Sequence, residues 1–301
     1  MISYQRKNTG WRIALIIALA VAAALAILWF AVGQDWMDSQ RAGDTRQKTH
    51  ELFYGTSSAR PNLWFISSAS AEEAPQGAVE APPAVEVDSQ EGSFDALLAQ
   101  NPDVVGWLKA GESIDEPVVQ RDNEWYMDHN FFGESDRNGT LFVNVANQLD
   151  PRDDVILIHG HNMKSGDMFS TLLNFRDEAY RKQYPLAYFQ EVAGGESCYV
   201  AVAAFDASML PNHRTYIDIT QIVFDNESAE GEPRQSAQFQ SYLNEIQERS
   251  YWSAPVDVTV EDQLLMLVTC SYEQEDGRFV LVLRRLRENE TPESVLAQIQ
   301  E

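Results

Sequence analysis

Between Ile13 and Val32 the chain runs IALIIALAVAAALAILWFAV, twenty residues without a charge or a proline. At 1.5 Å per residue a helix of that length covers roughly 30 Å, about one hydrocarbon core. Arg6, Lys7 and Arg12 precede the run, and Asp35 and Asp38 follow it. Positive charge is retained on the cytoplasmic side, so this order places residues 1–12 in the cytoplasm and everything after Gly33 outside. A cleaved signal peptide is the competing reading. The run is long for a signal core, and no convincing small-x-small cleavage site follows it before the charged QDWMD. An uncleaved single-pass anchor over 13–32 is therefore expected, and either reading exports the rest of the chain.

The exported part divides by composition. Residues 34 to about 54 are polar and partly helical in pattern, a stalk leaving the membrane. From 55 to about 90 the chain is rich in Ala, Pro, Ser and Glu (SASAEEAPQGAVEAPPAVEVDSQEG). Such a stretch has too little apolar surface to offset the entropy of ordering. Leu63–Ile66 (LWFI) is an isolated apolar patch within it. Residues 33–92 thus read as stalk and flexible linker, and 93–301 as the globular domain. The formal net charge is -24, from 22 Lys+Arg against 46 Asp+Glu. With no basic stripe to set against that, nucleic acid is excluded as a partner. Two cysteines make neither a disulfide framework nor a cysteine-rich zinc site. No motif calls for a cofactor, and no EF-hand loop is present.

Within 93–301, SFDALLAQNPDVVGWLKA predicts two short helices, with Ser93 as N-cap and Pro102 splitting them. Strand-like apolar runs follow at Ile114–Gln120, Thr140–Val145, Val155–His159, Tyr199–Phe205, Val256–Val260, Leu264–Thr269 and Phe279–Leu286. Helical patterns lie at Met168–Phe175, at Ser236–Trp252 and from Thr291 onward. Many short strands with interspersed helices predict a mainly β domain, a single barrel or sandwich with helical additions.

Three residues carry candidate chemistry. Cys270 closes the apolar strand LLMLVTC and faces the polar loop SYEQEDGR, a place where a thiol can work on a rigid scaffold. Alone, a cysteine there reads first as core packing. Cys198, opening CYVAVAAF with no polar neighbours, reads as structural. His161 lies in DDVILIHGHNMKSGDMF, just past a strand end and a glycine. An imidazole at that corner can take the proton of a thiol on a neighbouring strand and later return it to a leaving amine. Arg278 follows Cys270 by eight residues and starts the next strand, so a hairpin would place the two together, with the guanidinium available to a developing oxyanion. His159 and His161 as a metal pair fit poorly, because alternate residues of a strand face opposite ways. His50 falls in the stalk. His129 and His213, like Arg284, Arg285 and Arg287, read as surface groups.

Together these segments resemble a known family. ILIHGHNMKSGDMFSTLLNF, LLMLVTCSYE and EDGRFVLVLRRL are similar to the His, Cys and Arg motifs of the sortases, membrane-anchored cysteine transpeptidases. FDALLAQNPDVVGWLKA and IDEPVVQRDNEWYMDHNFFGESDRNGTLFVN resemble class B in particular, and the helix over Ser236–Trp252 is similar to the extra helix of that class. The resemblance covers roughly residues 93–290. It implies an eight-stranded β-barrel with an N-terminal helical extension, and a groove for an extended sorting peptide of the Leu-Pro-x-Thr-Gly or Asn-Pro-x-Thr-x type. Cys270 would be the nucleophile, His161 the general acid/base and Arg278 the oxyanion and substrate cation. Asn162, Val268 and Thr269 would border the substrate. An amine of a cell-wall precursor or a pilin would accept the acyl group. Two positions depart from the family pattern: His159 stands where an aromatic such as Tyr is common, and Val268 where Ser is common. A thiol hydrolase, or a tethered binding module with a packed Cys270, are the rival readings.

Overall fold

A computed structural model describes residues 7–55, 93–220 and 236–300. The linker over 56–92, with its LWFI patch, lies outside the described residues. A helix, α1 (Lys7–Tyr54), leads into a short helix, α2 (Asp95–Gln100), and then into the sheet. The N-cap of α2 is Phe94 and not the expected Ser93, whose Oγ accepts the Asp95 amide at 3.3 Å from one position further back.

Eight strands follow: β1 (Val104–Ala110), β2 (Ile114–Val119), β3 (Leu141–Val143), β4 (Val155–His159), β5 (Leu186–Glu191), β6 (Gly195–Ser208), β7 (Leu264–Ser271) and β8 (Gly277–Arg285). They close into a barrel in the order β1-β2-β3-β4-β7-β8-β6-β5. The pairs β2–β3 and β4–β7 are parallel and the rest antiparallel. The helices α3 (Glu178–Gln183), α4 (Ser236–Arg249) and α5 (Pro292–Gln300) complete the fold.

Strand alternation sorts the side chains into two packed faces. Leu141, Ile156, Ile158, Leu265, Leu267, Phe279 and Leu281 point inward and meet Phe169, Leu172 and Phe175 of the turn of 3-10 helix over Ser170–Arg176. Val155, Leu157, Leu264, Met266, Val268, Val280 and Val282 point outward, where α4 lays Phe239, Leu243 and Ile246 and α5 lays Val295 and Ile299 over them.

Several expectations change. The second predicted short helix is strand β1: Val104 and Val105 favour the pleat, and at Gly106 a Cβ would collide with the Phe189 ring and the Gln190 carbonyl of β5. The predicted strand at Val256–Val260 has no ladder. Its apolar residues pack on the edge of the outer cluster, and the chain turns at Thr259, whose amide donates to Asp262 at 2.7 Å. Strand β5 was not anticipated. The pattern at Met168–Phe175 yields the 3-10 turn rather than an α-helix. Arg284 is fully buried, its Nη1 and Nη2 donating to Glu290 at 2.7 and 2.9 Å, and Arg287 binds Asp257 and Asp262. His129 stacks on Trp125 at 3.8 Å, and His213 pairs with Thr215.

The stalk also differs from expectation. The second half of α1 is helical and lies against the barrel. Phe53 stacks on Trp107 with centroids 4.1 Å apart, Arg46 pairs with the buried Glu116, and Tyr54 donates to Asp115 at 2.8 Å. His50, expected in a free stalk, places Nε2 2.7 Å from the Asp115 carbonyl. The folded unit therefore takes in these residues together with 93–220 and 236–300. The apolar run Ile13–Val32 falls in the first half of α1, with Ile13, Ile16, Leu19, Leu25 and Trp29 exposed. Among the described residues no helix is long and apolar enough to cross a membrane; the side chains of Ala26, Leu28, Phe30, Ala31 and Val32 lie outside that description.

Candidate active site

The outward face of β4, β7 and β8 is apolar under α4 and turns polar at one edge. Val268 and Val280 are cross-strand partners there, and the next outward pair along the hairpin is Cys270 and Arg278. Directly opposed residues of an antiparallel pair hold their Cβ atoms about 4.5–5.5 Å apart on one face. The hairpin inferred from sequence is thus present, with Cys270 and Arg278 as neighbours. The Arg278 guanidinium is partly exposed and donates from Nη1 to Asp276 and to the Gly277 carbonyl, both at 3.0 Å.

On the other side of β7, the parallel register pairs His159 with Val268. The strands stay joined past that point: the Gly160 amide donates to the Val268 carbonyl at 3.1 Å, and the Thr269 hydroxyl to the Gly160 carbonyl at 2.7 Å. The Asn162 amide then donates to the Cys270 carbonyl at 2.9 Å. By this register His161 lies level with Cys270, on the strand end beside it. His161, Cys270 and Arg278 therefore occupy three adjacent strands at one edge of the sheet. Of the residues expected to border substrate, Asn162 clamps the backbone of Cys270, Val268 is buried as floor, and Thr269 points into the barrel.

The imidazole of His161 is held from the opposite side. Its Nε2 lies 2.6 Å from the Met127 carbonyl. A carbonyl only accepts, so Nε2 carries the hydrogen, and in the neutral ring Nδ1 keeps the lone pair that a base needs. Gly139 (φ +64°) backs the ring: a Cβ there would sit 3.2 Å from His161 Cδ2 and run into the Tyr126 carbonyl. Neither Met127 nor Gly139 was identified from sequence; the Asn-Gly pair in DRNGT was the available signal for a tight turn.

His159 is a different kind of histidine. It is half-buried beside Phe142, and its Nε2 meets the Asn144 amide at 3.0 Å. Burial, with a smaller effect from the Arg278 charge, pushes its pKa down to about 4. It is neutral at physiological pH and forms the floor of the site. Cys198 lies on β6, where burial lifts its thiol to about 12 despite the Tyr188 hydrogen bond. That places it among inert structural thiols. Among the described residues no group of acidic, His or Cys side chains is arranged to hold a metal.

Comparison with known proteins gives a consistent result. A sortase B of Listeria monocytogenes is 29% identical over 189 residues, 62% of this chain and 70% of the relative. The Staphylococcus aureus sortase B is 26% identical over 198 residues, 64% and 75%. The sortase B structure from Clostridium perfringens superposes with TM-score 0.55 at 26% identity, covering 65% of this chain and all of that one. The chain is similar to class B sortases in fold and in sequence. A Staphylococcus aureus sortase B–substrate complex shares the fold at TM-score 0.54 and 24% identity, covering 65% of this chain and 85% of that one. No protein-family model matches the chain. The sortase B likeness lies over the barrel and its helices, the part that carries His161, Cys270 and Arg278.

Proposed function

We propose that the chain is a membrane-anchored cysteine transpeptidase that cuts a Thr-containing sorting motif and passes the acyl group to an amine. The observation that carries this reading is the Cys270–Arg278 cross-strand pair with His161 level beside it. Cys270 gives its proton to His161 Nδ1 and its sulfur attacks the carbonyl carbon after the Thr. Arg278 faces the oxygen on which negative charge develops. Collapse breaks the C–N bond, the imidazolium protonates the departing amine, and a thioester remains. An incoming amine, on a cell-wall precursor or a pilin, loses its proton to His161 and displaces the thiolate. The partners are thus a sorting-signal peptide and an amine, and the substrate complex of the Staphylococcus aureus sortase B, which shares this fold, supports substrate binding. Residues 13–32 anchor the chain in the membrane, with 1–12 cytoplasmic and the barrel outside. No cofactor takes part.

The test mixes the full chain in detergent with peptides of the Leu-Pro-x-Thr-Gly and Asn-Pro-x-Thr-x types and follows intact mass. An adduct equal to the peptide fragment ending in Thr, absent in Cys270→Ala and consumed by added triglycine, is expected. An adduct released only to water would make the protein a thiol hydrolase. No adduct, with Cys270 inert to alkylation, would leave a binding module.

A further inference from the structure

The ring of His161 leans on one segment, residues 126–140, and the buried Asn138 of that segment hydrogen-bonds to the backbone of α1. Asn138 donates from Nδ2 to the Asp38 carbonyl of α1 and to Asp136 Oδ1, both at 2.8 Å. Its neighbour Arg137 donates to Asp38 Oδ2 at 3.0 Å. Its other neighbour, Gly139, is the residue packed against His161 Cδ2 and the Met127 carbonyl. The turn is closed by Gly139 N to the Asp136 carbonyl at 3.0 Å and Thr140 N to the Tyr126 carbonyl at 2.9 Å. One residue therefore separates the anchor on α1 from the surface that receives the imidazole.

Asn138 carries a cost that packing alone does not account for. It is 2% exposed, yet its Oδ1 has no hydrogen-bond partner. Asn138 also lines a small, mostly apolar cavity under α1, shared with Arg46, Glu116, Phe131 and Leu141. The amide cannot be turned to relieve Oδ1, because both Nδ2 partners are acceptors. A buried unpartnered acceptor costs on the order of 1 kcal/mol or more and is retained where geometry demands it.

We propose that Asn138 is a positioning residue for His161, fastening the turn that receives the imidazole to the backbone of α1. The inference rests on the reading of His161 as the acid/base group. With Asn138 in place, the Met127 carbonyl and Gly139 hold the ring in the Nε2–H tautomer, with Nδ1 available to the thiol. Without it the turn loosens, both tautomers are populated and fewer encounters with Cys270 are productive.

The experiment compares wild type, Asn138→Ala and His161→Ala in the full chain. It reads the rate of Cys270 carboxamidomethylation by iodoacetamide at pH 7, and the ¹⁵N signals of the His161 ring in the two chains that have it. Asn138→Ala is expected to slow alkylation about 10-fold, because a loosened turn misplaces the imidazole relative to the thiol, and to mix the ring tautomers. A wild-type rate in His161→Ala would refute the acid/base reading itself. A slowed His161→Ala beside an Asn138→Ala with wild-type rate and a single Nε2–H tautomer would overturn the positioning proposal alone. Should Asn138→Ala not fold, Asn138→Ser decides by the same readouts: its shorter hydroxyl gives up the bond to the Asp38 carbonyl, about a 3-fold slowing is expected, and no change overturns the proposal.

Discussion

Replacing Phe53 with Ala tests whether α1 is part of the catalytic fold or a tether beside it. Phe53 is 2% exposed and stacks on the buried Trp107 at 4.1 Å with the rings 7° apart. Phe94 lies 5.2 Å away, and Leu97 and Val104 fill the same cluster. A truncation here cannot be healed by collapse, because Trp107 belongs to β1 and is paired on both sides, with β2 and with β5. Phe→Ala at such a site costs about 3–5 kcal/mol, against a total stability of about 5–15 kcal/mol for a domain. For a unit of this size that lowers Tm by about 10 °C. Urea unfolding of the full chain in detergent, followed by tryptophan fluorescence, is the assay. The midpoint should fall with the m-value unchanged. Trp36→Ala is the control: that side chain is exposed, so its effect should stay within about 0.5 kcal/mol. A loss below about 1 kcal/mol for Phe53→Ala would refute the packing argument and return α1 to a free stalk.

His159 is neutral when folded, its pKa lowered to about 4 from an ordinary 6.5, so the unfolded chain binds the proton more readily. Its contribution is complete above pH 6.5 and is lost as pH falls toward 4, by up to about 3 kcal/mol; His159→Phe should flatten that acid limb in urea titrations between pH 7 and 4. Glu290→Ala strands the guanidinium of Arg284, whose side chain is 0% exposed, and should cost about 3–5 kcal/mol by the same assay. Arg278→Ala should lower kcat about 10²–10³-fold while leaving the urea midpoint within about 0.5 kcal/mol, because among the described residues it hydrogen-bonds to Asp276 and the Gly277 carbonyl alone; an unchanged kcat would remove it from the mechanism.

What was legible in the sequence depended on the range of the signal. Cys270 and Arg278 are eight residues apart across one hairpin, so strand alternation alone predicts that they face the same way. The apolar runs of β4, β7 and β8 are buried on both faces and read as continuous hydrophobic stretches. Strand β5 was hidden because LAYFQE mixes polar residues into a pair of edges shared with β1 and β6. Val256–Val260 misled because alternation serves any half-buried extended segment, with or without a ladder partner. Arg284 read as a surface charge because its partner, Glu290, lies beyond the strand end. The contacts of α1 join residues 40 to 100 positions apart, as in Phe53–Ser93 and Asp38–Asn138, and no local pattern encodes them.

The assembly of the site follows from how these strands are connected. β4 and β7 are parallel neighbours, so their carboxyl ends emerge at the same edge of the barrel. β8 returns antiparallel to β7 by a tight turn, so its first residues emerge there too. His161 and Cys270 lie at two carboxyl ends and Arg278 at an amino start, which brings all three together without a bend or a loop excursion. A parallel pair cannot be joined by a hairpin. The chain between β4 and β7 must cross the barrel, and it uses that passage to lay down β5, β6 and α4. The crossover therefore explains two things at once: why the histidine and the cysteine are over a hundred residues apart, and why the apolar cover of α4 stops where their polar edge begins. Between the ends of β4 and β7, the Thr269–Gly160 and Asn162–Cys270 hydrogen bonds extend the parallel pairing past its last ladder residue. Those two bonds keep the imidazole and the thiol on one rigid edge, so the geometry needed for proton transfer is built in before any substrate arrives.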